Sequence, residues 1–179
     1  MKRAFVIAIA VVVGLSGSVV RAEDQSLILT DEQIDLIRSN CVDTQSTLQR
    51  VHASDALARV NLGQRYETIS TKLMAPMNSR IALNRLDGLD MAKTTVDFNT
   101  QLDDFRSLYQ QYEQTLLRTI QLKCRDQPVG FYDTLSLSRS HRAAVHESVK
   151  KLNGLIVQYG EQYEAFKAEL IQTRKATNG

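Results

Sequence analysis

Tryptophan is absent from this 179-residue chain, proline and cysteine occur twice each, and glycine eight times. Each scarcity excludes something. With so few residues that break regular structure, helices can run long without interruption, and no repeat or low-complexity tract divides the sequence. No glycine-rich phosphate loop, Gly-x-Ser-x-Gly elbow, Cys-x-x-Cys pair or Cys-x-x-Cys-His haem attachment occurs, and Glu-x-x-His, the motif of di-iron bundles, is missing as well. The usual local signatures of nucleotide, hydrolase, redox and metal chemistry are therefore lacking.

The titratable residues point the same way. His141 and His146 stand five apart, on different faces of a helix, whereas the zinc-protease pattern needs a spacing of four around a glutamate. His52 and Asp55 can meet on one turn as a surface contact. Asp103 with Asp104, and Glu161 with Glu164, read as solvated helix faces. The sequence predicts no enzyme, no catalytic or metal-binding residue and no cofactor.

What is present begins with Met1, Lys2 and Arg3, an apolar and small run from Ala4 to Leu15, and then Ser16, Gly17 and Ser18. This charged, hydrophobic, small order is that of a secretory signal peptide over residues 1–22, cleaved after Ala22 to leave one domain over 23–179. An exported location follows: periplasmic, cell-envelope or extracellular. Retained instead, Ala4 to Val20 reaches the lower limit for a membrane-spanning helix, roughly 17 residues, and would tether the domain. No cysteine follows the apolar run, which excludes a lipoprotein anchor there.

Without Lys2, Arg3 and Arg21 the mature chain carries 19 basic and 20 acidic residues. That balance offers no electrostatic footprint for nucleic acid.

Hydrophobic periodicity predicts three helices, roughly 31–74, 91–124 and 131–174. Leu29-Thr30-Asp31-Glu32-Gln33-Ile34 holds a capping box in Thr30 and Gln33 and a hydrophobic staple in Leu29 and Ile34. Ile34, Ile37, Cys41, Leu48 and Val51 continue the first stripe, and Tyr66, Ile69 and Leu73 resume it. Between them Asp55 and Gly63 weaken it, so a break is expected near Ala53 to Asp55. Ala75-Pro76 marks an end or kink, with extension to Leu86 as the alternative.

Phe98, Leu102, Phe105, Tyr109, Tyr112 and Leu116 give the second helix its seam; these aromatics read as core before they read as a ligand box. Val145, Val149, Leu152, Ile156, Tyr159, Tyr163, Phe166 and Leu170 repeat at four and three without a miss. The fold expected is all-α: an elongated antiparallel three-helix bundle with coiled-coil-like seams. Heptads alone do not say whether the last seam is filled within one chain or by self-association.

Export makes Cys41 and Cys124 an expected disulfide. Thirty-three residues on from Cys41 is Met74, and thirty-three back from Cys124 is Met91, the two residues that bracket the predicted tip of the first hairpin. The cysteines should therefore lie level at its base. Met74, Met77, Leu83, Leu86 and Met91 gather at the tip, with Tyr163 and Phe166 alongside; they read either as a cap on the core or, exposed, as a surface for a protein partner.

Leu29-Thr30-x-x-Gln33 resembles the Leu-Thr-x-x-Gln motif of the Spy and CpxP family of periplasmic helical stress proteins and chaperones. The resemblance covers five residues, without the second copy that family carries, and capping accounts for the pattern. It implies only that exported helical proteins that bind clients are one use of such a chain. The function expected is that of a non-enzymatic exported interaction or scaffold protein with a protein partner or client. Its rival is a small-molecule or cofactor-binding bundle, with Thr44 or Asp55 as the polar residues that would mark a site.

Overall fold

Thr30 starts the first helix as its residues predict. Its hydroxyl accepts from the Gln33 amide while the Gln33 side chain accepts from the Thr30 amide, a reciprocal capping box. The computed structural model describes residues 29–177, so the signal segment 1–22 and its cleavage point lie outside the described residues. Within them the chain is all-α, with no strand: α1 (Asp31–Thr68), a π-helical turn (Ile69–Met74), α2 (Ala75–Leu83), α3 (Leu89–Gln121) and α4 (Pro128–Thr177). No helix among the described residues is long and apolar enough to cross a membrane.

Several boundaries differ from the sequence expectation, each for a local reason. The helix does not break at Ala53 to Asp55, because polar residues on its inner face find partners there. Nor does Pro76 end it. The π turn carries one extra residue per turn, shown by the Ala75 amide bonding to the Ser70 carbonyl, and places Pro76 in the first turn of α2, where a missing amide costs little. That extra residue also rotates the stripe: Met74 is buried and Leu73, expected inward, is 61% exposed.

The helix runs to Leu83 and not to Leu86. The Arg85 amide donates to Ala82 and the Leu86 amide to Ile81, with Arg85 left-handed at φ 57°, which is a Schellman stop with arginine where glycine is usual. Gly88 follows because a Cβ there would lie 2.6 Å from Cγ2 of Ile81. α3 ends at Gln121 rather than Cys124, and α4 starts at Pro128 rather than 131, with proline again in a first turn.

The arms alternate in direction. From base to tip, the first arm, made of α1, the π turn and α2, meets α3 and the segment just after it through Cys41 and Cys124, Asp55 and Tyr112, Ser70 and Asn99, and Asn78 and Thr95. These pairs ascend on one arm and descend on the other. Thr115 with His141, Gln101 with Ser148, and Thr94 with Gln158 reverse the direction again.

The disulfide joins Cys41 to Cys124 with Cα atoms 5.9 Å apart. Around it Phe131 and Leu135 are buried with Ile37 and Leu48 alongside. Gln45 Nε2 donates to the carbonyls of Thr119, Ile120 and Leu122, closing the C-terminus of α3 from a neighbouring helix.

Every seam residue named on α3 is buried. Phe98 and Phe105 each meet Tyr66 edge to face, at 6.2 and 6.0 Å between ring centres, and Leu152 of α4 closes this core at 0% exposure. The α4 seam is graded rather than uniform: Val145, Val149, Ile156 and Tyr159 are half-buried beside the core, and Leu170 is 43% exposed.

Candidate functional site

α3 packs closely along α4, and the first arm joins α4 through the shared core of Tyr66, Met74 and Leu152 as well as through polar braces. Arg142 donates twice to Asp55, at 2.8 and 3.1 Å; Tyr66 donates to Asn153; Tyr159 donates to Asn78 at 3.0 Å. Between and around the braces this seam opens into three clefts. The one at the base, about 320 Å³, is lined by Ile37, Thr44, Phe131 and Arg139 among others. The middle cleft holds about 560 Å³. At the tip, about 570 Å³ lies between Ile69, Leu73, Met77, Arg80, Tyr159 and Tyr163.

The middle cleft is where the apolar stripe of α1 lapses. Asp55, Arg59 and Leu62 follow Val51 at spacings of four, four and three, so helical geometry carries Asp55 and Arg59 onto the inner face. α3 contributes Phe105, Tyr109 and Tyr112, and α4 contributes Arg139, Arg142, Ala143, Val145, His146 and Val149.

Asp55 is fully engaged. Tyr112 donates to Oδ2 at 2.6 Å and the Arg142 guanidinium grips both oxygens. Burial alone would raise its pKa, but hydrogen bonds from Arg142 and Tyr112, with the arginine's charge, hold it below the usual carboxylate range. Burial, then the bond to Asp55, pushes the Tyr112 hydroxyl well above its ordinary value. The Arg142 guanidinium is held more firmly charged, first by its bond to Asp55.

Two other groups on the cleft wall have no such match. Arg59 stacks its guanidinium over the Tyr109 ring, 4.8 Å from the centroid, and its Nε is buried without a hydrogen-bond partner in the protein. Tyr109 is 3% exposed and its hydroxyl also lacks one. Burial raises the Tyr109 pKa, as does the charge of Glu113, so the hydroxyl stays a donor. Arg139 is exposed, and among the described residues neither it nor Arg59 forms an ion pair.

No known protein family, characterised protein or solved structure matches this chain. What it does must be read from its own residues.

The structure divides the five tip residues. Met74 and Met91 are buried at 1 and 2%, which removes them from any partner surface, while Leu83 is 80% and Leu86 38% exposed. Met77 is half-buried and lines the tip cleft opposite Tyr163. Phe166, one turn further on, lines a separate cleft together with Gly88 and Met91.

His52 faces Glu113 at 3.7 Å and not Asp55. His141 contacts Thr115, and His146 lines the cleft. Among the described residues no three His, Cys, Asp or Glu side chains gather as a metal would require. Asp103 and Glu164 pair with Arg106 and Lys167 one turn away on solvent faces. Thr44, the other polar seam residue, donates to its own helix at Asn40 and lines the base cleft.

Sequence reasoning marked Asp55 but missed Arg59, Arg139 and Arg142. Arg59 was legible at the inner-face spacing. The two on α4 were not, since they flank its apolar seam as ordinary exposed arginines do.

Proposed function

We propose that this chain is a non-enzymatic, exported interaction protein. In this reading the mature domain is an elongated antiparallel three-helix bundle with coiled-coil-like seams, stapled at its base by Cys41–Cys124. It offers the α1–α4 seam to an acidic amphipathic helix of a protein partner. The observation that carries the reading is the seam itself: apolar clefts in line along two parallel helices, the setting in which an added helix buries its apolar face.

Charge chooses among partners. The clefts bring Arg59, Lys72, Arg80, Arg139 and Arg142 to the seam against one carboxylate, Asp55, already bound to Arg142. A disulfide between distant helices supports export, because such bonds persist in oxidising compartments. Carboxylates paired with neighbouring cations on solvent faces support the non-enzymatic part.

Site-specific photo-crosslinking in the exporting cell tests the reading. A crosslinker at Ala58 or Leu73, on the seam, is expected to give a discrete adduct, and one at Val96 of α3, 64% exposed, is not. Equal yields at all three positions, or none on the seam, overturn it.

The rival, a bundle that holds a small molecule, is favoured by one specific observation. Tyr109 and Arg59, whose hydroxyl and Nε are buried without hydrogen-bond partners, line a cleft within the usual size of ligand sites, about 300 to 1,000 Å³.

A further inference from the structure

Three guanidiniums converge on the middle cleft and only one carboxylate answers them. Asp55 accepts three bonds, two from Arg142 in a two-pronged pair and one from the Tyr112 hydroxyl, and makes none with Arg59 or Arg139. Burying the Nε of an unpaired guanidinium and a tyrosine hydroxyl without partners costs free energy, roughly 1 to 3 kcal/mol for each unsatisfied group. A charged acceptor in the cleft would be met by the guanidinium nitrogens of Arg59 other than the buried Nε and by the exposed Arg139.

The remaining walls set the rest of the ligand. Ala58, Leu62, Phe105, Ala143, Val145 and Val149 are apolar. Towards the tip the cleft is closed by the Tyr66–Asn153 bond and by buried Leu152, so the occupant is short. We propose that the middle cleft binds a small amphipathic carboxylate, its charge met by Arg59 and Arg139 and its alkyl or aryl body held against Leu62, Phe105, Val145 and Val149. Planar guanidinium forks match carboxylates in two-point geometry. This is chemistry beyond the protein-partner reading and independent of it: a seam that crosslinks a partner but binds no carboxylate sinks this inference alone.

The test is calorimetric titration of the disulfide-bonded chain with decanoate below its micellar concentration. One saturable site is expected. Decanol, which lacks the charge, and acetate, which lacks the body, should each bind at least tenfold more weakly. Arg139→Gln should weaken decanoate at least fivefold while leaving the melting temperature unchanged, because Arg139 is exposed and makes no bond within the fold. Lys93→Gln, on a solvent face of α3 and away from every cleft of the seam, should leave decanoate affinity unchanged. Decanol binding as well as decanoate would show that the cleft does not read charge, and acetate binding equally well would mark an adventitious ion only. Either result, absence of saturable binding, or an unchanged affinity in Arg139→Gln overturns the proposal.

Discussion

α1 and α3 are helices of similar length with opposite roles. α1, of 38 residues, buries Cys41 and Tyr66; α3, of 33, buries ten residues, from Met91 to Thr119. α3 packs chiefly along α4 and is held by its buried seam. α1 is held at intervals: a covalent bond at its base, the Asp55–Arg142 pair in its middle and the Tyr66 aromatic core near its end. An arm fastened at points leaves space between them, and that is where the clefts open. The difference teaches that the clefts of this protein and the sparse packing of its first helix have one origin.

The sharpest way to break the comparison is at the base. Cys41→Ser with Cys124→Ser frees a loop spanning 83 residues, and chain entropy puts the expected loss at about 4 to 5 kcal/mol. Urea unfolding of the oxidised protein and the double variant measures it; equal midpoints would mean that packing alone holds α1. Next in size, Phe98→Ala removes a side chain at 0% exposure from α3 and should cost about 3 to 5 kcal/mol, whereas Leu57→Ala on α1, 65% exposed, should fall within about 0.5 kcal/mol. If the two losses were comparable, the asymmetry between the helices would be wrong.

A smaller effect concerns the middle brace and depends on pH. Because Asp55 has a lowered pKa when folded, its contribution is fully present above the ordinary carboxylate value of 3.8 and disappears as pH falls through the lower folded value. Melting temperatures of the native chain and Asp55→Asn should therefore differ at neutral pH and converge below about 4. A constant difference across that range would show that the carboxylate's charge is not what binds α1 to α4. The smallest change lies in the turn that ends α2. Arg85→Gly relieves a left-handed residue at φ 57°, and after the entropy cost of glycine a gain of about 0.5 kcal/mol is expected in chemical denaturation.

How much of this could be read beforehand varies along the chain. The capping box at Thr30 and Gln33, the α3 seam and the pairing of Cys41 with Cys124 were legible because each rests on spacing within a helix or on the level of two positions along antiparallel arms. The course of the chain past Pro76 was not. A π turn inserts a residue without any residue type that announces it, and Met74 replaced Leu73 on the inner face as a result. Gln45 is a further case: as a side chain it looks like any helix-surface glutamine, and only the approach of α3 makes it the group that closes Thr119, Ile120 and Leu122.

The candidate site shows the same divide. A lapse in the α1 stripe was visible and read as a weak point, but whether a lapse is a break or a site depends on what lies opposite. Tyr109 and Tyr112 of α3 and the arginines of α4 lie opposite this one.

By itself, then, the sequence determined the helical class, the start of the first helix, which face of α3 turns inward and which cysteines meet, since these follow from the 3.6-residue period and from local hydrogen bonding. Tertiary structure alone decided that α1 packs sparsely against both α3 and α4, that Asp55 is bound by Arg142, and that the Arg59 Nε and the Tyr109 hydroxyl are left without hydrogen-bond partners. Those outcomes depend on side chains that meet from 50 to nearly 90 residues apart, and no local pattern encodes which of many similar charged residues will face one another.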